Sequence, residues 1–222
     1  MERLICLAIG YVFGMFQTAF IYGKINHIDI RDYGSGNAGT TNALRTLGKK
    51  AGLITFLGDL AKALLASLVV RLIYKDSHAD CITMLILYSG IGVVLGHNFP
   101  VYLKFKGGKG IAATAGVFLS LCNWQMCVVG LLAFGITLAI TKYVSAGSLV
   151  MLLVEFAAFA LLSRFGLIKG LAGGSVVIET TVVMFAFVVL GFMRHHANIV
   201  RLWNGTENSL SFKKSEKEKK NE

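Results

Sequence analysis

Charged residues are scarce in this sequence. Asp, Glu, Lys and Arg make up 15% of its 222 residues, whereas an ordinary soluble domain contains about 25%. Acidic residues are the scarcer kind, with 12 Asp and Glu against 22 Lys and Arg, and the hydrophobic share is 55%. The mean hydropathy is +0.66. This composition excludes an ordinary soluble domain and predicts an integral membrane protein.

Cysteine motifs are also missing. The four cysteines, Cys6, Cys81, Cys122 and Cys127, form no CxxC pair and fall mostly within apolar segments. The spacings typical of a disulfide framework or a metal site are therefore absent. We interpret the four side chains as small buried hydrophobic groups and expect no metal site.

Apolar runs of about 20 residues, long enough to cross roughly 30 Å of hydrocarbon, recur along the chain. No A-x-A cleavage pattern follows the first run, so we interpret it as a retained helix and not as a signal peptide. The stretch 111–141 is too long for one crossing, and the polar residues Asn123 and Gln125 interrupt it. The predicted helices cover residues 4–23, 51–74, 81–96, 112–122, 126–141, 146–163 and 175–193.

These helices predict an all-α integral membrane protein, a bundle of seven transmembrane helices in a single domain over residues 1–208. Most of the 22 Lys and Arg residues fall in polar segments that this topology places on one side, chiefly 24–50, 97–110 and 194–222. Cytoplasmic loops carry such an excess. We therefore expect the N-terminus outside, and the motif loops and the C-terminus in the cytoplasm. The Lys-rich and Glu-rich segment 209–222 is predicted to be a disordered basic tail.

A glycine-rich polar segment follows the first predicted helix. It reads Gly34-Ser35-Gly36-Asn37-Ala38-Gly39-Thr40-Thr41-Asn42, and Arg45 follows shortly after it. Glycines permit tight turns in which backbone N–H groups converge, and the hydroxyl, amide and guanidinium groups add donors, so the segment is predicted to bind an anion. It also fits the G-x-G-x-x-G dinucleotide pattern, but the strand that this pattern needs is missing, which argues against nicotinamide or flavin binding.

A second segment of this kind is Phe105-Lys106-Gly107-Gly108-Lys109-Gly110. It superficially resembles a nucleotide-binding P-loop, but Lys109 is followed by glycine and not by Ser or Thr, so a nucleotide is not supported. The alternative for both segments is a flexible interfacial turn whose lysines extend to the membrane surface. The recurrence of glycines, hydroxyls and cations in two segments on one predicted side favours anion binding.

Two pairs of polar residues lie at helical spacing. Asp59 and Lys62, inside a predicted helix, are interpreted as a structural ion pair, which lowers the cost of charge within the membrane. His195 and Asn198 share one helical face, where His195 serves either as an interfacial hydrogen-bonding group or as a proton carrier. We expect a structural role for His97.

Taken together, these segments resemble the bacterial membrane glycerol-3-phosphate acyltransferases that use acyl phosphate. The matching stretches are GSGNAGTTNALRTLGKKAG at 34–52, GHNFPVYLKFKGGKGIAAT at 96–114, KYVSAGS at 142–148 and HHANIVRLWNGTE at 195–207. The resemblance implies transfer of a fatty acyl group from acyl phosphate to glycerol 3-phosphate, giving lysophosphatidate and phosphate, the first step of phospholipid synthesis. It implies no metal or organic cofactor and no nucleic-acid partner. It also implies a bacterial cell membrane, contact with membrane lipid, and functional coupling to the enzyme that makes acyl phosphate.

The resemblance and the residue types together assign expected roles. Catalytic roles are expected for Ser35, Arg45, Lys106, His195 and Asn198. Substrate-binding roles are expected for Gly34, Gly36, Asn37, Gly39, Thr41, Asn42, Gly107, Gly108, Lys109, Gly110 and Ser145, and structural roles for Asp59, Lys62 and Glu207. The chain departs from the family at His196, where Arg is common, and at Ala63, where Gly is usual.

Acyl phosphate is already activated, so the enzyme must chiefly orient two phosphorylated substrates and stabilise the oxyanion and the departing phosphate. We expect the Ser35 and Arg45 segment to hold acyl phosphate, and Lys106 with its glycines to hold glycerol 3-phosphate. No carboxylate accompanies a His in a Ser-His-Asp pattern, which favours direct attack by the glycerol hydroxyl over an acyl-enzyme at Ser35. The proton passes to His195 or to a substrate phosphate. The alternatives are a transporter of an organic phosphate and an acyltransferase that uses acyl-CoA or acyl carrier protein.

Overall fold

The computed structural model describes residues 1–209 and shows only helices and connecting loops in this range, which confirms the predicted all-α class. The α-helices are α1 (Glu2–Gly14), α2 (Thr18–Ile25), α3 (Thr40–Tyr74), α4 (Ile82–Asn98), α5 (Ile111–Ser120), α6 (Trp124–Thr141), α7 (Val144–Arg164), α8 (Gly174–Arg194) and α9 (His196–Trp203). Short 3-10 helices cover Ile30–Asp32 and Val101–Leu103. Apart from its first residue, the predicted tail 209–222 lies outside the described residues.

Six stretches of residues 1–209 are long and apolar enough to cross a membrane. They are Glu2–Ile25, Thr40–Tyr74, Ile82–Leu103, Trp124–Thr141, Val144–Arg164 and Gly174–Arg194. Helix α5 is apolar but has 10 residues. At about 1.5 Å per residue it is about 15 Å long, half of the hydrocarbon thickness. The predicted bundle of seven is thus found as six long spans and one short helix.

The predicted division of the stretch 111–141 into two helices is confirmed. Asn123 stands at the break and is the N-cap of α6, because its Oδ1 accepts a hydrogen bond from the backbone N–H of Met126 at 3.1 Å. Its Nδ2 donates to the backbone oxygen of Leu167 at 3.2 Å. The polar side chain therefore begins α6 and ties the break between α5 and α6 to the loop after α7.

The first predicted helix is interrupted near its middle, between α1 and α2. The buried side chain of Gln17 lies at this break, and its Nε2 donates to the backbone oxygens of Gly14 at 3.3 Å and His97 at 3.0 Å. The amide thereby satisfies a carbonyl left free at the end of α1 and attaches the break to the end of α4. The sequence predicted one continuous helix over 4–23, because the residues around Gln17 are apolar. That prediction was wrong at this break.

Helix α3 begins earlier than predicted, at Thr40, with a kink at Gly48. Gly48 has a φ of 85°, a left-handed conformation that residues with a side chain rarely adopt. Residues 40–47 therefore form a short helical arm that meets the long membrane-spanning part of α3 at an angle. Arg45 lies on this arm, where the sequence predicted only a polar loop.

Helices α1 and α4 pack backbone to backbone along four glycines. A Cβ atom on Gly10 would overlap the carbonyl oxygen of Ser89, and one on Gly92 would overlap that of Leu7. Gly14 and Gly96 are as tightly enclosed. Small residues allow such close approach in membranes, where van der Waals contact replaces the hydrophobic driving force. This contact fixes α4, the most deeply buried span, at the centre of the bundle.

Candidate functional site

A cavity of about 460 Å³ lies among α3, α5, α6, α7 and the segment from His195 to Asn208. The predicted site residues on its wall are Ser35, Asn37, Gly39, Thr41, Asn42, Arg45, Lys109, Gly110, Ser145, His195, Asn198 and Glu207. Its apolar wall includes Phe56, Leu60, Phe118, Leu131, Phe134 and Met151. The structure thus brings residues of all four motif segments to a single cavity that has both polar and apolar surface.

Glu207 is the centre of the polar wall. Its Oε1 accepts hydrogen bonds from Ser145 Oγ at 2.9 Å and from Asn198 Nδ2 at 2.7 Å, and its Oε2 accepts one from Arg201 Nε at 2.8 Å. Burial opposes ionisation of this carboxyl, but the three hydrogen bonds outweigh burial and lower its pKa below the usual value. Glu207 is therefore an anion that holds α7, α9 and the following loop together.

Lys109 joins this group from the second glycine segment. Its Nζ donates a short hydrogen bond to Asn198 Oδ1, so that Asn198 links Lys109 to Glu207. Burial lowers the pKa of Lys109 to about 8, although the nearby Glu207 carboxylate raises it in part. At neutral pH the ammonium group is still charged, and its two remaining N–H donors have no partner within residues 1–209, so they can serve a ligand.

Arg45 reaches the cavity from the helical arm of α3. Its Nη2 donates to the backbone oxygen of Asn208 at 3.1 Å, just beyond Glu207. Three cationic side chains, Arg45, Lys109 and Arg201, therefore face one cavity, while Glu207 is the anion that they surround. Such an arrangement favours an anionic ligand with phosphate geometry.

Ser35 is held by Asn42, seven residues later. Asn42 Oδ1 accepts hydrogen bonds from the backbone N–H of Ser35 at 2.8 Å and from its Oγ at 3.2 Å. The Nδ2 of Asn42 donates to the backbone oxygens of Ile30 and Tyr33, each at 3.0 Å. The buried amide of Asn42 thus shapes the loop that presents Ser35, and the Ser35 hydroxyl donates to an amide instead of to a base.

His195 follows α8 directly and is buried. Its Nδ1 lies 2.7 Å from the backbone oxygen of Gly191, a contact that requires a proton on Nδ1 and leaves Nε2 as an acceptor. Burial is the main cause that lowers the pKa of His195 to about 4, and the charge of Lys109 adds to it. His195 is therefore a neutral hydrogen-bond acceptor at physiological pH. His196, the departure from the family, is exposed and does not line the cavity.

Lys106, Gly107 and Gly108 do not line this cavity. Lys106 is exposed and borders a separate surface pocket with Arg31, Gly36 and Lys104. The backbone N–H groups of Gly107 and Gly108 donate to the carbonyl oxygens of Asn98 and His97, at 3.2 and 3.0 Å. These N–H groups are therefore occupied within the protein, whereas the sequence suggested that they would hold a phosphate.

The two glycines instead connect the second segment to the end of α8. Arg194 donates to the backbone oxygen of Gly108 from Nε at 3.1 Å and from Nη2 at 2.9 Å, and to that of Gly107 at 3.2 Å. A Cβ atom on Gly108 would also overlap His97 Nε2. Tight packing and the Arg194 contacts explain the glycines, and they position Lys109 and His195 next to each other on the cavity wall.

Gly34 and Gly36 lie outside the cavity as well. Gly34 has a φ of 59°, and a Cβ atom there would overlap Asn42 Oδ1. Gly36 has a φ of 68°. Both glycines therefore serve the turn that carries Ser35, and neither contacts the space where a ligand would lie.

The pair of Asp59 and Lys62 is present and buried within the membrane-spanning part of α3. Lys62 Nζ lies 3.0 Å from Asp59 Oδ1, 2.7 Å from His97 Nδ1 and 2.7 Å from the backbone oxygen of Phe16. Thr18 Oγ1 donates to Asp59 Oδ1 at 3.3 Å. Asp59 and His97 also line the cavity, so this network forms part of its wall.

Three residues near the cavity were missed by the sequence analysis: Arg194, Arg201 and Glu155. Arg194 ends a span, where basic residues are common, and so carried no special signal. Arg201 lies six residues before Glu207 and three after Asn198, and this helical spacing was the available signal. Glu155 is an acidic residue within an apolar run, a pattern that marks functional positions in membrane helices.

Comparisons with known proteins show the family of the chain. The model of the glycerol-3-phosphate acyltransferase family matches residues 4–205. The chain is similar to the glycerol-3-phosphate acyltransferase of Alkaliphilus metalliredigens, with 38% identity over 97% of this chain and 100% of the relative. It is similar to that of Clostridioides difficile, with 40% identity over 95% and 97% of the two chains.

A solved structure shows the same architecture. The crystal structure of PlsY (YgiH), an integral membrane glycerol 3-phosphate acyltransferase in its glycerol 3-phosphate form, superposes with a TM-score of 0.79 and 27% sequence identity, covering 95% of this chain and 96% of that one. Its lysophosphatidic acid form gives a TM-score of 0.77 over the same shares. These matches agree with the integral membrane fold class predicted from hydropathy. The chain belongs to the glycerol-3-phosphate acyltransferase family.

Proposed function

We propose that the protein transfers a fatty acyl group from acyl phosphate to glycerol 3-phosphate, forming 1-acyl-glycerol 3-phosphate and inorganic phosphate, the first step of phospholipid synthesis. The observation that carries this proposal is one cavity with the cations Arg45, Lys109 and Arg201 on its polar wall and aromatic and aliphatic side chains on the rest. Two phosphorylated substrates, one with a long alkyl chain, match these two kinds of surface.

Binding supplies most of the catalysis in this proposal. Arg45 and Lys109 neutralise the two phosphate groups and bring the acyl carbon within reach of the glycerol hydroxyl. As the hydroxyl oxygen attacks, negative charge develops on the carbonyl oxygen and then on the leaving phosphate, and fixed N–H donors stabilise both. The new ester bond forms, the bond between the acyl carbon and the phosphate oxygen breaks, and inorganic phosphate departs.

The proton of the attacking hydroxyl passes to a substrate phosphate in this scheme. His195 presents Nε2 as an acceptor, but with a pKa of about 4 it is a weak base. A phosphate monoester has a second pKa of about 6 and is the stronger base. His195 therefore accepts a hydrogen bond from the glycerol part and orients it, and the Lys106 role expected from the sequence passes to Lys109, which lies in the cavity.

The direct test is turnover by the purified protein. Acyl phosphate, acyl-CoA and acyl carrier protein bearing the same chain are each supplied with glycerol 3-phosphate, and lysophosphatidate and free phosphate are measured. Of the three donors, only acyl phosphate is expected to react with glycerol 3-phosphate, and it should give lysophosphatidate and free phosphate in equal amounts. Turnover with acyl-CoA or acyl carrier protein, and not with acyl phosphate, would replace the donor assignment.

We also propose an orientation of the protein in the membrane. The polar wall is built from the segments that carry most of the Lys and Arg residues, so we place it on the cytoplasmic side of the bacterial cell membrane, with the N-terminus outside. There it receives glycerol 3-phosphate from the cytoplasm and acyl phosphate from the enzyme that makes it. Labelling of Cys residues introduced at Glu2 and Asn204, with a reagent that does not cross membranes, distinguishes the two sides.

A further inference from the structure

We propose that Glu155 determines the acyl-chain specificity of the enzyme by facing the alkyl chain at about its twelfth carbon. This inference rests on the proposed function, since it requires an acyl donor in the cavity. Glu155 lies on α7 and borders the cavity, and only 3% of its surface is exposed.

The carboxyl group of Glu155 has no partner in the part of the chain that the structure describes. Its Oε2 makes no hydrogen bond there, and no cation lies within ion-pair distance. The opposite helix, α6, makes room for it at Gly130, where a Cβ atom would overlap Oε1. A buried polar group without a partner is costly, so its retention within an apolar run calls for an explanation in terms of what the cavity binds.

The depth of Glu155 follows from helix geometry. Ser145 contacts Glu207 in the polar wall, and Glu155 lies ten residues further along α7, or about 15 Å at about 1.5 Å per residue. An extended alkyl chain advances roughly 1.25 Å per carbon, given C–C bonds of about 1.5 Å. A donor that runs along α7 with its carbonyl carbon at the level of Ser145 therefore brings roughly its twelfth or thirteenth carbon to Glu155.

A plain alkyl chain and a chain with a hydroxyl group interact differently with the Glu155 carboxyl. The neighbouring cavity wall is formed by Cys127, Leu131, Phe134 and Met151, which offer it little hydrogen bonding. A methylene group that slides past removes water from the carboxyl and gives no hydrogen bond in return. A hydroxyl group at the same depth restores one. Glu155 therefore selects against plain chains that extend beyond it and in favour of chains with a hydroxyl group at that position.

The test compares acyl phosphates of increasing length, from decanoyl to octadecanoyl, in the wild type, Glu155→Met and Glu155→Gln. Met fills a similar volume without polar oxygen or nitrogen, so the ratio of kcat/KM for hexadecanoyl to that for decanoyl phosphate should rise about tenfold. Gln keeps a polar group and should leave the ratio near that of the wild type. An unchanged ratio in Glu155→Met would overturn the inference.

A second measurement tests the inference in the wild type alone, and Glu155→Met serves as a further comparison. Octadecanoyl phosphate with a hydroxyl group at about carbon 12 should be used more efficiently by the wild type than the plain chain, by roughly fivefold or more. In Glu155→Met this advantage should disappear. Equal efficiency of the two donors in the wild type would overturn the inference even if Glu155→Met does not insert into the membrane.

The matched control is Leu153→Met, on the same helix but 48% exposed on the outer surface. Its chain-length profile should equal that of the wild type.

The proposed function and the role of Glu155 fail in different ways. If the wild type uses no acyl phosphate of any length, the proposed function is wrong, whereas an active wild type with the same profile as Glu155→Met removes only the role of Glu155.

Discussion

Arg45 Nη2 donates a hydrogen bond to the backbone oxygen of Asn208, which lies 163 residues later in the chain, at 3.1 Å. This bond joins the helical arm before Gly48 to the loop after α9. It uses one of the five N–H donors of the guanidinium group, so others remain for a ligand in the cavity. Arg45 thus completes the polar wall, and we propose that its remaining donors bind a substrate phosphate.

Replacing Arg45 with Ala should lower kcat/KM by about 100-fold or more, equivalent to about 3 kcal/mol of transition-state stabilisation. The side chain is exposed apart from its contact with Asn208, so insertion and folding should be unaffected. Lys49→Ala, on an exposed position just past the kink, is the control and should retain activity. Wild-type turnover by Arg45→Ala would remove Arg45 from the site.

The pH dependence of kcat/KM should follow the ionisation of Lys109. With a pKa of about 8, its ammonium group is charged below that pH and neutral above it, so kcat/KM for glycerol 3-phosphate should fall as the pH rises through about 8. His195, with a pKa of about 4, is neutral at every pH from neutral upwards and contributes no change in rate there. Steady-state rates over this range check both expectations.

Lys109→Arg separates Lys109 from other titrating groups. Arginine stays charged, so the variant should lack the decline near pH 8, whatever its absolute rate. Any change near pH 6 belongs to the substrate phosphates and should persist in the variant. An alkaline decline that is identical in both proteins would assign the titration to another group.

Ser35 should form no acyl-enzyme. Its hydroxyl donates to Asn42 Oδ1 at 3.2 Å, and no His, Lys or carboxylate of residues 1–209 is within hydrogen-bond distance to activate it. Mixing the protein with acyl phosphate alone should therefore give no burst of phosphate and no mass increase on the Ser35 peptide. Covalently acylated Ser35 would contradict direct attack by glycerol 3-phosphate.

Packing between α1 and α4 should be sensitive to a single methyl group. Gly92→Ala places a Cβ atom against the carbonyl oxygen of Leu7 and should destabilise the protein by about 1–3 kcal/mol, seen as a lower Tm in detergent. Gly135→Ala is the matched control on α6, since nothing lies within 4 Å of the added atom. Similar Tm values for the two variants would show that the contact contributes little.

The fold was largely predictable because hydropathy reports burial in lipid directly. The break at Asn123 was visible as polar residues within an apolar stretch. The break at Gln17 was not, because a single amide among apolar residues looks like a tolerated exception, and its partners at the end of α4 are some 80 residues away. The helical arm before Gly48 was missed because its sequence is polar, and polarity was taken to mean a loop.

The sequence identified the residue types of the site but not which way their side chains face. Motif spacing placed Lys106 and Lys109 in the same loop, but it could not tell that one faces outward and the other lines the cavity. Gly107 and Gly108 looked like phosphate-binding glycines, although their N–H groups are paired within the protein. Which backbone groups remain free depends on contacts with Arg194 and α4, and sequence alone does not reveal these contacts.

The contacts of Arg45 with Asn208 and of Ser145 with Glu207 also have a consequence for when the cavity forms during synthesis. Ser35 and Arg45 leave the ribosome early, whereas Asn198, Arg201 and Glu207 are among the later residues. Contacts between residues so distant in the chain form slowly, because a long loop must first close. The spans can therefore be inserted one after another before the polar wall exists, and the proposed active site is complete only when the segment after α8 docks onto α3 and α7.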